Sequence, residues 1–145
     1  MTLLLLYNQS ASDIFTRGNY ASLPADDADL ETVYSSSDIT DVGIHNSSFV
    51  NQTGTTQFMI HQYKKDAGSN TRCTVTSILQ TDLLPSSSTV YLQIYNRDST
   101  SWETIDSDNT SAINTDITLT YYISDLTNYK DGSNIIAIRL YQQSL

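Results

Sequence analysis

In the second half of the chain, apolar and polar side chains alternate over short segments, each closed by a cluster of Ser, Thr, Asn or Asp. The segments are Thr89–Tyr95 (TVYLQIY), Ser101–Ile105 (SWETI), Asp116–Ile123 (DITLTYYI) and Asn134–Tyr141 (NIIAIRLY). A period of two is the signature of antiparallel strands with one buried face. It places Val90, Leu92 and Ile94 on one face of their strand, and likewise Ile117, Leu119 and Ile123, and Ile136, Ile138 and Leu140. Each such side chain contributes roughly 1.5–3 kcal/mol when buried. Asn96–Trp102 is expected to be a hairpin turn leading into an aromatic that closes the core edge. Upstream, Gln57–Lys64 predicts a strand, Lys65–Asn70 its turn, and Arg72–Leu79 the strand pairing back on it.

The first half is less regular. Met1–Tyr7 (MTLLLLY) has no basic leader and too short an apolar run for an export signal, so a first strand buried on both faces is expected. Asp13–Asn19 predicts a short strand entering a turn at Gly18–Asn19. Pro24 with acidic residues behind it resembles a helical first turn, and Leu30, Val33 and Tyr34 share a helical face. One short helix is therefore expected over residues 24–34, an acidic loop being the alternative. Ser35–Asp38 reads as a loop, and Ile39–Gly43 and Ser48–Gln52 as short strands. The sum is about nine or ten strands. The expected fold class is all-β, an antiparallel β-sandwich or jelly roll, as one domain over residues 1–145.

Composition agrees. Ser, Thr and ten Tyr residues favour a pleated sheet over helix. Seven basic against sixteen acidic residues, a net charge of -9, argue against a nucleic-acid partner and against docking on anionic lipid. No segment approaches the length needed to span a membrane.

Candidate chemistry is sparse. The lone Cys73 alternates within a strand and reads as a small core residue. His45 and His61 lack metal-ligand spacing, and His61 reads as a solvated or hydrogen-bonded strand histidine. Asp26, Asp27 and Asp29, and Asp106 with Asp108, group oxygen donors in turns, the latter pair being weak calcium candidates. Glu31 and Glu103 are the only glutamates, and no paired carboxylates suit glycoside hydrolysis. No cofactor and no enzymatic activity are expected. Four Asn-x-Ser/Thr triplets, at Asn8, Asn46, Asn51 and Asn109, are expected by chance in so Ser/Thr-rich a chain. The strongest functional signal is aromatic. Tyr91 and Tyr95 point away from Leu92 and Ile94, Tyr141 points away from Leu140, and Tyr121–Tyr122 is expected to place one ring on each face. A loop, a helix or a neighbouring subunit covering that second face is the bland alternative.

Pro85–Asn96, Ser101–Asn109, Asn114–Leu119 and Ile136–Gln142 together resemble the C-terminal half of galactose-binding-like jelly-roll domains of phage and environmental bacterial type. The resemblance spans about residues 85–142 and carries no site motif. It implies a binding or structural sandwich. The expected role is non-catalytic: a phage-type capsid decoration protein on the virion surface, binding a major capsid or other shell protein in many copies. Such a protein would be a homo-oligomer, as a trimer for example, with Leu3, Leu5, Tyr91, Tyr95 and Tyr141 at its interfaces. The alternative is a carbohydrate-binding module stacking a glycan on Tyr91, Tyr95 and Trp102.

Overall fold

A computed structural model describes residues 2–4, 13–43 and 48–145. Ten strands and one helix follow in the order β1 (Thr2–Leu4), β2 (Ile14–Tyr20), β3 (Thr32–Val33), α1 (Ser36–Val42), β4 (Val50–Asn51), β5 (Phe58–Asp66), β6 (Cys73–Gln80), β7 (Val90–Asn96), β8 (Ser101–Asp108), β9 (Ile117–Ile123) and β10 (Ile135–Gln143). All strand pairs are antiparallel. They form a four-stranded sheet, β4-β1-β6-β9, and a six-stranded sheet, β3-β2-β5-β10-β7-β8. One apolar cluster takes Val75, Leu79, Ile117, Leu119 and Ile123 from the first sheet, and Phe15, Met59, Leu92, Ile138 and Leu140 from the second. The fold is an all-β sandwich.

The C-terminal alternation has the expected register. Val90, Leu92, Ile94, Ile117, Leu119, Ile123, Ile136, Ile138 and Leu140 are all buried. A slip of one residue would turn each set outward, so this agreement fixes which face of every strand meets the core.

Several local expectations fail, each for an identifiable reason. The helix is Ser36–Val42, not residues 24–34. Ser35 begins it with a capping box: its Oγ accepts from the Asp38 amide at 3.2 Å, and the Asp38 carboxylate accepts from the Ser35 amide at 2.9 Å. Ile39 and Val42, three residues apart, then pack against the main core, so the expected strand at Ile39–Gly43 is helix instead. Residues 22–31 form no helix because side chains of the six-stranded sheet take their backbone groups and hold them as an irregular strap. Gly18 and Asn19 lie inside β2 and make no turn. A Cβ on Gly18 would come within 2.6 Å of the Tyr20 ring, so this strand position suits only glycine while that ring lies across it.

Strands β5 and β6 do not form a hairpin. β2 and β10 occupy both edges of β5, and residues 67–72 carry the chain to the opposite sheet. That crossing is held where the Ala67 amide donates to the Asn134 carbonyl at 3.0 Å and the Lys130 ammonium to the Gly68 carbonyl at 2.8 Å.

Candidate functional site

The tyrosines expected to face outward from β7 and β10 lie on the outer face of the six-stranded sheet, and that face is roofed by the strap. A row of polar residues crosses five strands in register: Thr16, Gln62, Arg139 and Gln93, all buried, and the exposed Thr104, from β2 through β5, β10 and β7 to β8. Buried polar groups must find partners, and these find them in each other and in the strap. Arg139 Nε donates to Gln93 Oε1 at 2.8 Å, and Gln93 Nε2 donates to Thr104 Oγ1 at 2.9 Å. Arg139 Nη1 donates to the Pro24 carbonyl at 2.7 Å. Gln62 Nε2 reaches the carbonyls of Asp27 and Ala28 at 3.1 and 2.8 Å, and the Leu30 amide donates to Thr16 Oγ1 at 3.1 Å. Trp102 Nε1 donates to the Asp26 carbonyl at 3.0 Å.

Aromatic rings fill the spaces around this row. The Arg139 guanidinium lies 4.2 Å from the Trp102 ring centre and 5.5 Å from that of Tyr141. Tyr91 stacks on Tyr141 at 5.1 Å, and Tyr95 meets Trp102 edge-on at 5.3 Å. Leu30 of the strap packs with Ile60 and Tyr141 of the sheet in a second apolar cluster. Ion pairs pin its acidic side: Asp27 to Arg97 and Asp29 to Lys64, each at 2.7 Å. Arg139, only 4% exposed, has lost so much hydration that its pKa falls to about 10, and it stays charged at neutral pH.

The proposed stacking residues therefore serve internal packing. Tyr95 and Tyr141 are buried, and Tyr91 and Trp102 are partly buried. Of the three covers that the sequence allows for this face, a loop of the same chain is present. Leu3 sits opposite Leu79 and Val50 in the four-stranded sheet, and Leu5 lies outside the described residues, as do His45, Asn8 and Asn46.

The exposed tyrosines are elsewhere. Tyr121 and Tyr122, adjacent on β9 at the edge of the four-stranded sheet, point to opposite faces as expected, yet both are exposed, at 46% and 54%. Tyr121 shares the inward-facing parity of Ile117, Leu119 and Ile123, which are buried, but its own ring is left uncovered.

A bulge in β8 explains the acidic pair. Leu92 pairs with Asp106 but Gln93 with Thr104, leaving Ile105 as the extra residue. Ile105 packs on the core, and Asp106 is turned toward β9, where Oδ2 accepts from the Thr120 amide at 2.7 Å. Asp108 accepts from the hydroxyls of Thr110 and Ser111 at 3.1 Å. Both carboxylates are thus engaged in local bonds. Glu103 accepts from Asn96 Nδ2 at 2.7 Å and from the Tyr129 hydroxyl at 2.9 Å. Among the described residues, no three His, Cys, Asp or Glu side chains converge as metal ligands.

His61 was expected to be solvated or hydrogen-bonded in its strand. It is hydrogen-bonded and completely buried. Its Nδ1 pairs with the Tyr34 hydroxyl, and Nε2 has no hydrogen-bond partner among the described residues. Burial holds its pKa down to about 3 and raises that of Tyr34. Cys73 borders the main core, and burial raises its thiol pKa, which keeps it in the poorly nucleophilic thiol form.

No helix among the described residues is long and apolar enough to cross a membrane. No family model, curated protein or solved structure matches this chain.

Proposed function

We propose that this protein is a non-catalytic structural component that docks on a larger assembly, a phage-type capsid decoration protein bound to its shell in many copies. The observation that carries this reading is the pair of exposed rings at Tyr121 and Tyr122 on an edge strand, Ile117–Ile123, that contains no charged residue. The backbone edge of this strand is partly capped by the Asp106 carboxylate on the Thr120 amide, so the rings themselves are the contact surface. Exposed tyrosines suit that role, since aromatic residues are enriched where proteins meet. The carboxylates of Asp27, Asp29, Glu103, Asp106 and Asp108 and the aromatic–arginine face are committed to internal bonds. Area buried across joints between shell subunits would stabilise the shell by mass action.

Quantitative peptide mass spectrometry on purified virus-sized particles tests the proposal. A fixed, high copy number relative to the main shell protein is expected, reduced in particles carrying Tyr121→Ser with Tyr122→Ser. Absence from such particles refutes it. The carbohydrate-binding alternative needs rings that a sugar can reach: the strap holds Trp102 and Tyr95 is buried, while Tyr91 is half-buried beside Tyr141 in a cleft with Phe58. A saturable response of Trp102 fluorescence to a glycan would favour that alternative.

A further inference from the structure

The geometry points to a binding site for one small neutral ring compound, of the phenol class, in the cleft between the two sheets beside Cys73. A cavity of about 160 Å³ opens between the paired strands β5 and β10 of one sheet and β6 of the other. Its deep wall is formed by Tyr63, Val75, Ile136 and Ile138, all buried and all facing the interior of the sandwich. Cys73, half-buried, and Asn70, exposed, stand at the mouth. An apolar cavity of about 150 Å³ is large enough to take benzene. Sites of this kind bind through an apolar floor, with a few polar groups at one end fixing orientation.

The charges around the cavity decide the ligand class. Lys65 and Asp66 both line it, but Lys65 Nζ is paired with Asp13 at 2.9 Å and Asp66 Oδ1 accepts from the Gly68 amide at 2.7 Å. Neither is positioned to answer a ligand charge deep among apolar side chains, and burying an unanswered charge is prohibitive. A net charge of -9 further opposes anions. A hydroxyl on the ring is tolerated where it points to Asn70 at the mouth. The wall is preformed: the Asn70 amide donates to the Ala67 carbonyl at 3.1 Å, and Ala67 is itself tied to Asn134. Preorganisation of this kind lowers the cost of binding.

The test uses the full chain and phenol as the probe, with benzoate as its charged counterpart of similar size. Three results are expected with phenol. The melting temperature rises saturably, nuclear Overhauser contacts run from the ring protons to the methyls of Val75, Ile136 and Ile138, and alkylation of Cys73 by iodoacetamide slows about tenfold at ten times the dissociation constant. Benzoate should give none of the three. Cys73→Phe, which fills the mouth, should lose the phenol response. If that variant does not fold, the contacts and the alkylation rate in the unaltered chain still decide. A non-saturable response, contacts to other residues, or equal binding of benzoate would each overturn the proposal.

Discussion

Lowering the pH from 7 to 5 should cost the fold about 2 kcal/mol through His61 alone. An unfolded histidine takes up a proton below about pH 6.5. Folded His61 does not do so until about pH 3, because the imidazole is fully buried and Arg17, its neighbour across the β2–β5 ladder, adds a repulsive positive charge. Asp38 works weakly in the opposite direction. The unfolded state therefore binds more protons throughout this window, and stability falls as the pH falls. Integrated from pH 7 to 5, the uptake comes to about 2 kcal/mol for any folded pKa below about 4, so the result does not hinge on the exact native value. The window also lies above the range in which most carboxylates titrate. Urea unfolding at pH 5, 6 and 7 measures the effect, with His61→Gln as the reference. Gln keeps a polar group near Tyr34 and removes the titration. The stability gap between the two proteins should shrink by about 2 kcal/mol from pH 7 to 5, equivalent to about 4–8 °C in melting temperature for a chain of this size. Other titrating groups, His45 among them, cancel in the difference. Parallel loss of stability in both proteins would refute the assignment of a neutral, unprotonated His61.

Three further expectations follow from single contacts. Arg139→Lys keeps the charge but loses the planar stack on Trp102 and the two directed bonds to Gln93 and Pro24; it should cost about 2–3 kcal/mol and shift Trp102 emission to the red as the strap loosens, and an unchanged emission would contradict the strap's dependence on this residue. Thr100, a β-branched residue with φ of 51° in the β7–β8 turn, should gain about 1 kcal/mol on replacement by glycine, read as a higher urea midpoint. Asp106→Ala removes the carboxylate that accepts from the Thr120 amide, so it should cost about 1 kcal/mol and speed hydrogen exchange at that amide, whereas unaltered exchange would show that the bond does not protect it.

Alternation alone was enough to assign β7, β9 and β10 and the direction of every core side chain in them, because a half-buried strand can satisfy the hydrophobic effect in only one register. The same pattern marked Tyr91, Tyr95 and Tyr141 as pointing away from that core, and they do. It carried no information on what lies above them. Four residues carry a local signal for α1: Ser35 and Asp38 form a capping box and Ile39 and Val42 an apolar stripe, and the cap stabilises a helix too short to show periodicity. The strap could not be read locally at all. Pro24 and the acidic residues behind it look like a helical first turn, yet their carbonyls are taken by Arg139, Trp102 and Gln62, which lie between 34 and 115 residues away along the chain. Nor could the sequence show that β5 is flanked on both edges, so that Cys73–Gln80 must cross to the other sheet. Side-chain direction in a strand is a local property of the backbone, whereas the identity of the neighbour is settled by packing between distant segments. That is why the inner face of this sandwich was legible from the chain, and why the cover on its outer face, the burial of His61 and the exposure of Tyr121 and Tyr122 were decided only in three dimensions.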